Sequence, residues 1–235
     1  MTAGTFFDRQ HTAEELELPL LFRLLRRFEV RRVDVAVRLL PPGEALLDIG
    51  CGDGELARRV ANRYTRVVAT DVAPAAVAGA EHALEGFTFR DRIRFLVLDA
   101  NQKLPFGDGE FDALVALSTL QYVFDPEAFL VEAFRVIRPG GHLLIEVPNM
   151  AFLPQRVRLF LGRPLRTSYW RHGIDGGNLH YFTVTLLRRL LRSARFEIET
   201  ITGSGIFSAV RTWWVALLCG NILALGRRTE GPRIP

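Results

Sequence analysis

Lysine is nearly absent: of the 30 basic side chains, 29 are arginine and Lys103 stands alone. The arginines are spread along the chain, and no recognition motif for RNA or DNA accompanies them. The net charge of +4 and the pI near 9.6 therefore read as a compositional habit, and no nucleic-acid surface is expected. Cysteine is scarce as well. Cys51 and Cys219 make no disulfide framework, and neither Cys-x-x-Cys nor His-Glu-x-x-His occurs, so no structural or catalytic zinc and no other bound metal is expected. Residues 1–10 lack a basic stretch followed by an apolar one, so no export signal is visible and a cytoplasmic location is expected. Long apolar runs are confined to residues 206–225, where Arg211 and Asn221 interrupt them. The remaining composition, 49% apolar and 24% charged over 235 residues, suits one globular domain with embellishments.

The most informative stretch is Leu46-Leu47-Asp48-Ile49-Gly50-Cys51-Gly52-Asp53-Gly54. An apolar run ends in an acid, three glycines follow two apart, and a helical pattern begins at Glu55. This is a buried strand, a tight turn and a helix start. Glycines at such a turn admit positive φ and let a ligand lie directly on the main chain. A dinucleotide fingerprint would place its third glycine at position 55, which is Glu. The carboxylate of Asp48 would also repel a pyrophosphate, whereas it would attract an ammonium or sulfonium group. The loop thus favours a cationic nucleoside ligand without phosphate. Its Asp-x-Gly-x-Gly-x-Gly pattern resembles motif I of the class I S-adenosylmethionine (SAM) dependent methyltransferases. That resemblance implies a Rossmann-like, doubly wound, seven-stranded sheet, mostly parallel with an antiparallel C-terminal strand.

Two further strand-like runs end in acids. Arg66-Val67-Val68-Ala69-Thr70-Asp71 closes about 20 residues past the glycine turn, where a carboxylate can accept from both ribose hydroxyls. The alternative for Asp71 is a helix N-cap, since Pro74 opens the next helical pattern. The run from Arg92 ends in Asp99, and the resemblance implies that Asp99, with the main-chain group of Ala100, holds the adenine amine. Ligands of open α/β sheets bind outside the carboxyl ends of the strands, and Asp48, Asp71 and Asp99 all fall there. The cofactor contacts implied are Asp48, Gly50, Cys51, Gly52, Gly54, Asp71, Val72, Asp99, Ala100 and Leu117, with SAM as cofactor and S-adenosyl-L-homocysteine as product.

Leu104-Pro105-Phe106 with Phe111-Asp112, and Arg138-Pro139-Gly140-Gly141 between a helix and a fifth strand, are similar to landmarks of the small-molecule branch, the UbiG-like methyltransferase domain 11. Between them, Gln121-Tyr122 stands where many quinone-methylating relatives carry Glu-His. Leu117-Ser118-Thr119-Leu120-Gln121, Pro148-Asn149 and Asn178-Leu179-His180 are instead similar to the MetW-like branch. Tyr122, His180 and Asp125 are the candidate bases, although a histidine before a helix is also an ordinary packing or capping residue.

Residues 12–40 read as one or two helices, forming with the start of the chain an N-terminal cap at 1–40 that either packs on the core or lids the cofactor. The methyltransferase domain is expected at 41–235, with an acceptor-side insertion at about 149–180. The apolar tail reads as a short helix at 208–218 and a buried strand from Asn221, the alternative being a weak membrane contact through 206–225. The expected activity is transfer of the SAM methyl group to an O, N or C atom of a small-molecule acceptor. Two alternatives are a MetW-like partner or activator of a homoserine acyltransferase and a membrane-associated lipid or isoprenoid methyltransferase.

Overall fold

The computed structural model describes residues 29–165, 178–206 and 212–230. Its centre is β2 (Gly43–Ile49), in which Leu46, Leu47 and Ile49 are all buried. A run buried at every position from Ala45 to Ile49 belongs to a strand covered on both faces. β3 (Tyr64–Asp71) and β5 (Phe111–Leu117) flank it in parallel, β4 (Ile93–Val97) pairs outside β3, and β6 (Ile137–Pro148) pairs outside β5. β8 (Asn221–Arg228) then runs antiparallel to β6 on one side and to β7 (Phe196–Ile206) on the other. The order β7-β8-β6-β5-β2-β3-β4 is the expected seven-stranded sheet. A two-residue strand, β1 (Glu29–Val30), extends it by pairing with β7.

Helices cover both faces. α1 (Arg32–Leu39), α2 (Glu55–Val60) and α3 (Pro74–His82) close one core, in which Val33, Ala36, Leu56, Val60 and Val77 meet Leu46, Val67 and Leu144. α4 (Pro126–Val136) and α6 (Val184–Ser193) close the other through Phe129, Leu130, Leu187 and Leu191 against Leu47, Leu114 and Ile145. Within the described part of the helical reading of 12–40, residues 29–30 are corrected to strand and 32–39 is helix. That helix packs on the sheet, while the rest of the expected cap lies outside the described residues.

Two of the sequence landmarks prove to be staples at the end of the sheet away from the glycine turn. Asp112 Oδ2 accepts from the N–H groups of Glu44 and Ala45 at 2.8 and 2.7 Å, and Oδ1 accepts from Arg138 Nε at 2.6 Å, so the starts of β2, β5 and β6 are tied together. Burial pushes the Asp112 carboxyl up, but these hydrogen bonds outweigh it and hold the pKa below the ordinary value. Gly141 lies so close to β5 that a Cβ would come within 2.7 Å of the Asp112 carbonyl. Arg135 donates to the Leu104 and Phe106 carbonyls at 2.9 and 2.7 Å and pins the Leu-Pro-Phe turn.

The tail folds largely as its apolar core reading requires. A one-turn 3-10 segment at Thr212–Trp214 and α7 (Val215–Leu218) precede β8, whose residues 222–226 are buried. Asn149, at the end of β6, donates its amide to the carbonyls of Val215, Ala216 and Cys219. No helix among the described residues is long and apolar enough to cross a membrane.

Candidate active site

At the carboxyl end of β2 the chain folds back on β3, with the N–H groups of Gly50 and Cys51 both donating to the Thr70 carbonyl at 2.7 and 2.9 Å. Gly50, Gly52 and Gly54 all take positive φ, at 77°, 54° and 71°, where a side chain is strained. Their surroundings differ. A Cβ on Gly50 would lie 2.1 Å from Thr119 Oγ1, and one on Gly54 would lie 2.9 Å from the Phe95 ring; beside Gly52 there is nothing within 4 Å. The outer glycines make room for the protein itself, and the middle one faces open space in which a ligand can rest on the backbone.

Asp71 is 9% exposed and closes the turn from β3: Oδ2 accepts from the Gly52 N–H and Oδ1 from the Ala73 N–H, both at 3.0 Å. The N-cap of α3 is Ala73, with no side-chain bond, so the alternative of Asp71 as that helix's cap is not what the chain adopts. Each Asp71 oxygen keeps a second lone pair for a hydroxyl donor. Val72, beside it, is half-buried. Asp99 lies two residues past β4, and its Oδ1 accepts from both the N–H and the Nδ2 of Asn101 at 2.9 and 2.8 Å. Asn101 in turn accepts from the Phe124 N–H at 2.7 Å, which ties this corner to the loop after β5. Ala100 is half-buried beside it.

Asp48 is the strongest electrostatic feature. It is 2% exposed, and its Oδ2 has no hydrogen-bond partner. Burial first, and then the charges of Asp71 and Asp53, push its pKa up to about 7. A buried carboxylate without a counter-charge is costly, and a cationic ligand group in the adjoining space removes that cost. The residues present therefore suit an ammonium- or sulfonium-bearing nucleoside. Burial also pushes the Cys51 thiol up, with Asp48 and Asp71 adding to the effect, so Cys51 stays un-ionised. Leu117 is part of the core, and its carbonyl accepts from Thr119 Oγ1 at 3.2 Å.

The loop after β5 holds the acceptor-side candidates. Leu120–Tyr122 is one 3-10 turn. Gln121 is 2% exposed; its Nε2 donates to the Ser118 carbonyl at 2.9 Å, and its main-chain carbonyl accepts from the N–H groups of Leu179 and His180. Those bonds bring His180 to the loop, across residues 166–177, which lie outside the described ones, as do Trp170 and His172. His180 Nε2 is 3.2 Å from the Phe124 carbonyl. A carbonyl only accepts, so in the neutral ring Nε2 carries the proton and Nδ1 is the basic nitrogen. Tyr122 is half-buried next to Gln121. Asp125 is committed elsewhere: its Oδ1 accepts from Glu127 and Ala128 N–H, both at 3.0 Å, and caps α4. The helix beyond His180 is capped by Thr183, which leaves His180 free of that duty.

Sequence reading missed Ser118, Thr119 and Glu146. Ser118 takes φ 53°, and its hydroxyl donates to Glu146 Oε2 at 2.6 Å. A signal for Glu146 existed, since it is the one acid in the apolar run of β6.

The family described as "Methyltransferase domain" matches residues 47–145, from the glycine turn to β6. The ubiquinone biosynthesis O-methyltransferase of Xanthomonas campestris pv. campestris is 30% identical over 178 residues, 74% of this chain and 71% of that protein. The chain belongs to the class I SAM-dependent methyltransferases. Among solved structures, the methyltransferase of Mesorhizobium loti superposes with a TM-score of 0.62 at 19% identity, covering 83% of this chain and 97% of that one. The cyclase SpnF superposes at 0.60 and 24% identity, covering 90% and 81%. At such identities the likeness shows the fold, and a cyclase among the neighbours shows that the methyltransferase fold does not by itself choose the reaction.

Proposed function

We propose that this methyltransferase transfers the methyl group of SAM to a hydroxyl of a small-molecule acceptor and releases S-adenosyl-L-homocysteine. The observation that carries the reading is the buried carboxyl of Asp48, whose Oδ2 has no hydrogen-bond partner, at the end of the strand that leads into the open turn at Gly52. Along the carboxyl edge, Asp99 accepts from the adenine amine while the Ala100 N–H donates to a ring nitrogen beside it, and Asp71 takes the ribose hydroxyls. Asp48 faces the cationic end, with Gly50, Cys51, Gly52 and Gly54 shaping the turn and Val72 and Leu117 bordering it. When bound, SAM supplies a methyl carbon already activated by its sulfonium. The chain's task is then to hold the acceptor in line, which can supply much of the acceleration. A hydroxyl acceptor is favoured because the relatives that match over most of this chain are named O-methyltransferases.

Mass spectrometry of the purified protein is expected to find retained S-adenosylhomocysteine, and tritiated SAM is expected to label catechol in preference to a primary amine. Absence of both SAM binding and label would refute the reading. SAM binding without transfer to any acceptor would favour the MetW-like partner role.

A second reading concerns where the acceptor resides. Beside the acceptor loop, α5 (Leu153–Phe160) and the turn after it expose Leu153, Val157, Leu159, Phe160 and Leu161, and Trp213 and Trp214 are exposed on the segment tied to it by Asn149. Arg156, Arg158 and Arg163 accompany them, with no acid in the helix. Exposed aromatics with arginines suit the edge of a lipid bilayer, so an acceptor presented by a membrane surface fits this rim. Flotation with vesicles containing phosphatidylglycerol is expected to carry the protein and to fail for Phe160→Ser with Trp213→Ser; wild-type protein left at the bottom would refute this reading.

A further inference from the structure

Beyond the three acids proposed for the cofactor half, the carboxyl edge continues across β5 and β6 with a polar chain outside the cofactor contacts proposed above. Ser118 leaves β5 at φ 53°, a conformation that costs a non-glycine residue energy and persists where the surroundings impose it. Its neighbour Thr119 fills the space beside Gly50, so Ser118 is one residue from the glycine turn. Ser118 Oγ accepts from Arg32 at 3.2 Å and donates to Glu146 Oε2 at 2.6 Å. A hydroxyl has two lone pairs, so one remains. Glu146 is wholly buried, and its Oε1 has no partner; neither has Oε1 of the buried Gln121. One of these orphan acceptors lies near the carboxyl end of β6 and the other in the turn after β5, while Ser118 itself is only half-buried. Burial raises the Glu146 pKa, opposed by Arg32 and by the Ser118 bonds, which suits a group that takes up a proton.

We propose that Ser118 and Glu146 form the proton-accepting pair of the acceptor site, with Ser118 touching the acceptor hydroxyl and Glu146 receiving the proton through it. The acceptor oxygen bonds to the methyl carbon as the carbon–sulfur bond breaks and its electron pair stays on sulfur. The hydroxyl proton passes to Ser118 Oγ, and the proton already on Ser118 passes to Glu146 Oε2. Ser118 is the catalytic residue and Glu146 acts through it. Arg32 holds the serine hydroxyl in place. This inference rests on transfer to oxygen, the reading proposed above.

Glu146→Gln and Ser118→Gly, the latter relieving the positive φ, test it with two acceptors. Catechol must lose a proton during transfer, whereas 4-nitrocatechol is already ionised through its nitro group. Both variants are expected to lower kcat with catechol about 100-fold and to change it little with 4-nitrocatechol. SAM affinity by calorimetry and 4-nitrocatechol binding, read from its absorbance, are expected to match wild type. Equal losses on both acceptors, or no loss on either, would overturn the relay while leaving the methyltransferase reading intact. A wild-type protein that binds SAM but methylates neither catechol would overturn transfer to such hydroxyls, and the relay with it.

Discussion

Asp48→Asn isolates the electrostatic cost on which the cofactor site depends. In the ligand-free protein the Asp48 carboxyl is moved from an ordinary value of 3.8 to about 7, by burial first and by Asp71 and Asp53 after it. At about 1.4 kcal/mol per pKa unit, that shift of roughly three units corresponds to about 4 kcal/mol. The sign follows from proton binding. Between the two pKa values the folded chain holds the proton and the unfolded chain has released it, so this group's contribution to stability is full below the unfolded value and declines as pH rises to about 7. Asparagine cannot ionise and abolishes that decline. Urea denaturation of the ligand-free protein should find Asp48→Asn more stable than wild type by up to about 4 kcal/mol at about pH 8, and nearly equal to it at about pH 4. The same variant should bind SAM more weakly, because the counter-charge for its cationic end is gone. A stability difference that does not change with pH would refute the burial argument, whatever the effect on binding.

Gly50→Ala and Gly52→Ala should separate packing from ligand space. Each incurs about 1 to 2 kcal/mol for its positive φ, but only Gly50→Ala drives a Cβ to 2.1 Å from Thr119 Oγ1. Thermal denaturation should therefore show the larger loss for Gly50→Ala, with Gly52→Ala folded yet impaired in SAM binding by calorimetry. Asp71→Ala removes the acceptors for two ribose hydroxyls and should weaken SAM affinity by about 1.5 to 3 kcal/mol per charge-assisted bond; unchanged affinity would sink the ribose role. Asn149→Ala withdraws one amide from three carbonyls and should cost about 1 to 3 kcal/mol of folding stability, measured in urea, with SAM affinity preserved.

The glycine turn and the strands around it were legible because their signals are local. An apolar strand, a glycine turn and an acid at each strand end are written within a few residues, and positive φ at Gly50, Gly52 and Gly54 was what the spacing required. The limits of β4 and β6 were less legible: Asp99 falls outside its strand through its bonds to Asn101, and Arg138-Pro139-Gly140-Gly141 enters β6 because Asp112 and Gly141 hold it against β5. The short strand at Glu29–Val30 was hidden in a leucine- and arginine-rich stretch whose periodicity reads as helix, since a two-residue pairing with β7 leaves no pattern of its own. The proposed acceptor side was least legible. Ser118, Glu146 and Arg32 come from three separate elements, and only the fold brings them together.

The position of β8 between β6 and β7 also governs the order in which the molecule can be made. Among the described residues β7 has no neighbour other than β8 and the two-residue β1, so within that sheet it joins the parallel strands only once β8 has been synthesised. β2 to β5, which carry all the proposed SAM contacts, are complete by Leu117. A nascent chain could thus assemble a nucleoside pocket while the far side of the sheet is still unpaired, and SAM in the cell is positioned to stabilise the growing chain before any acceptor has a place to bind.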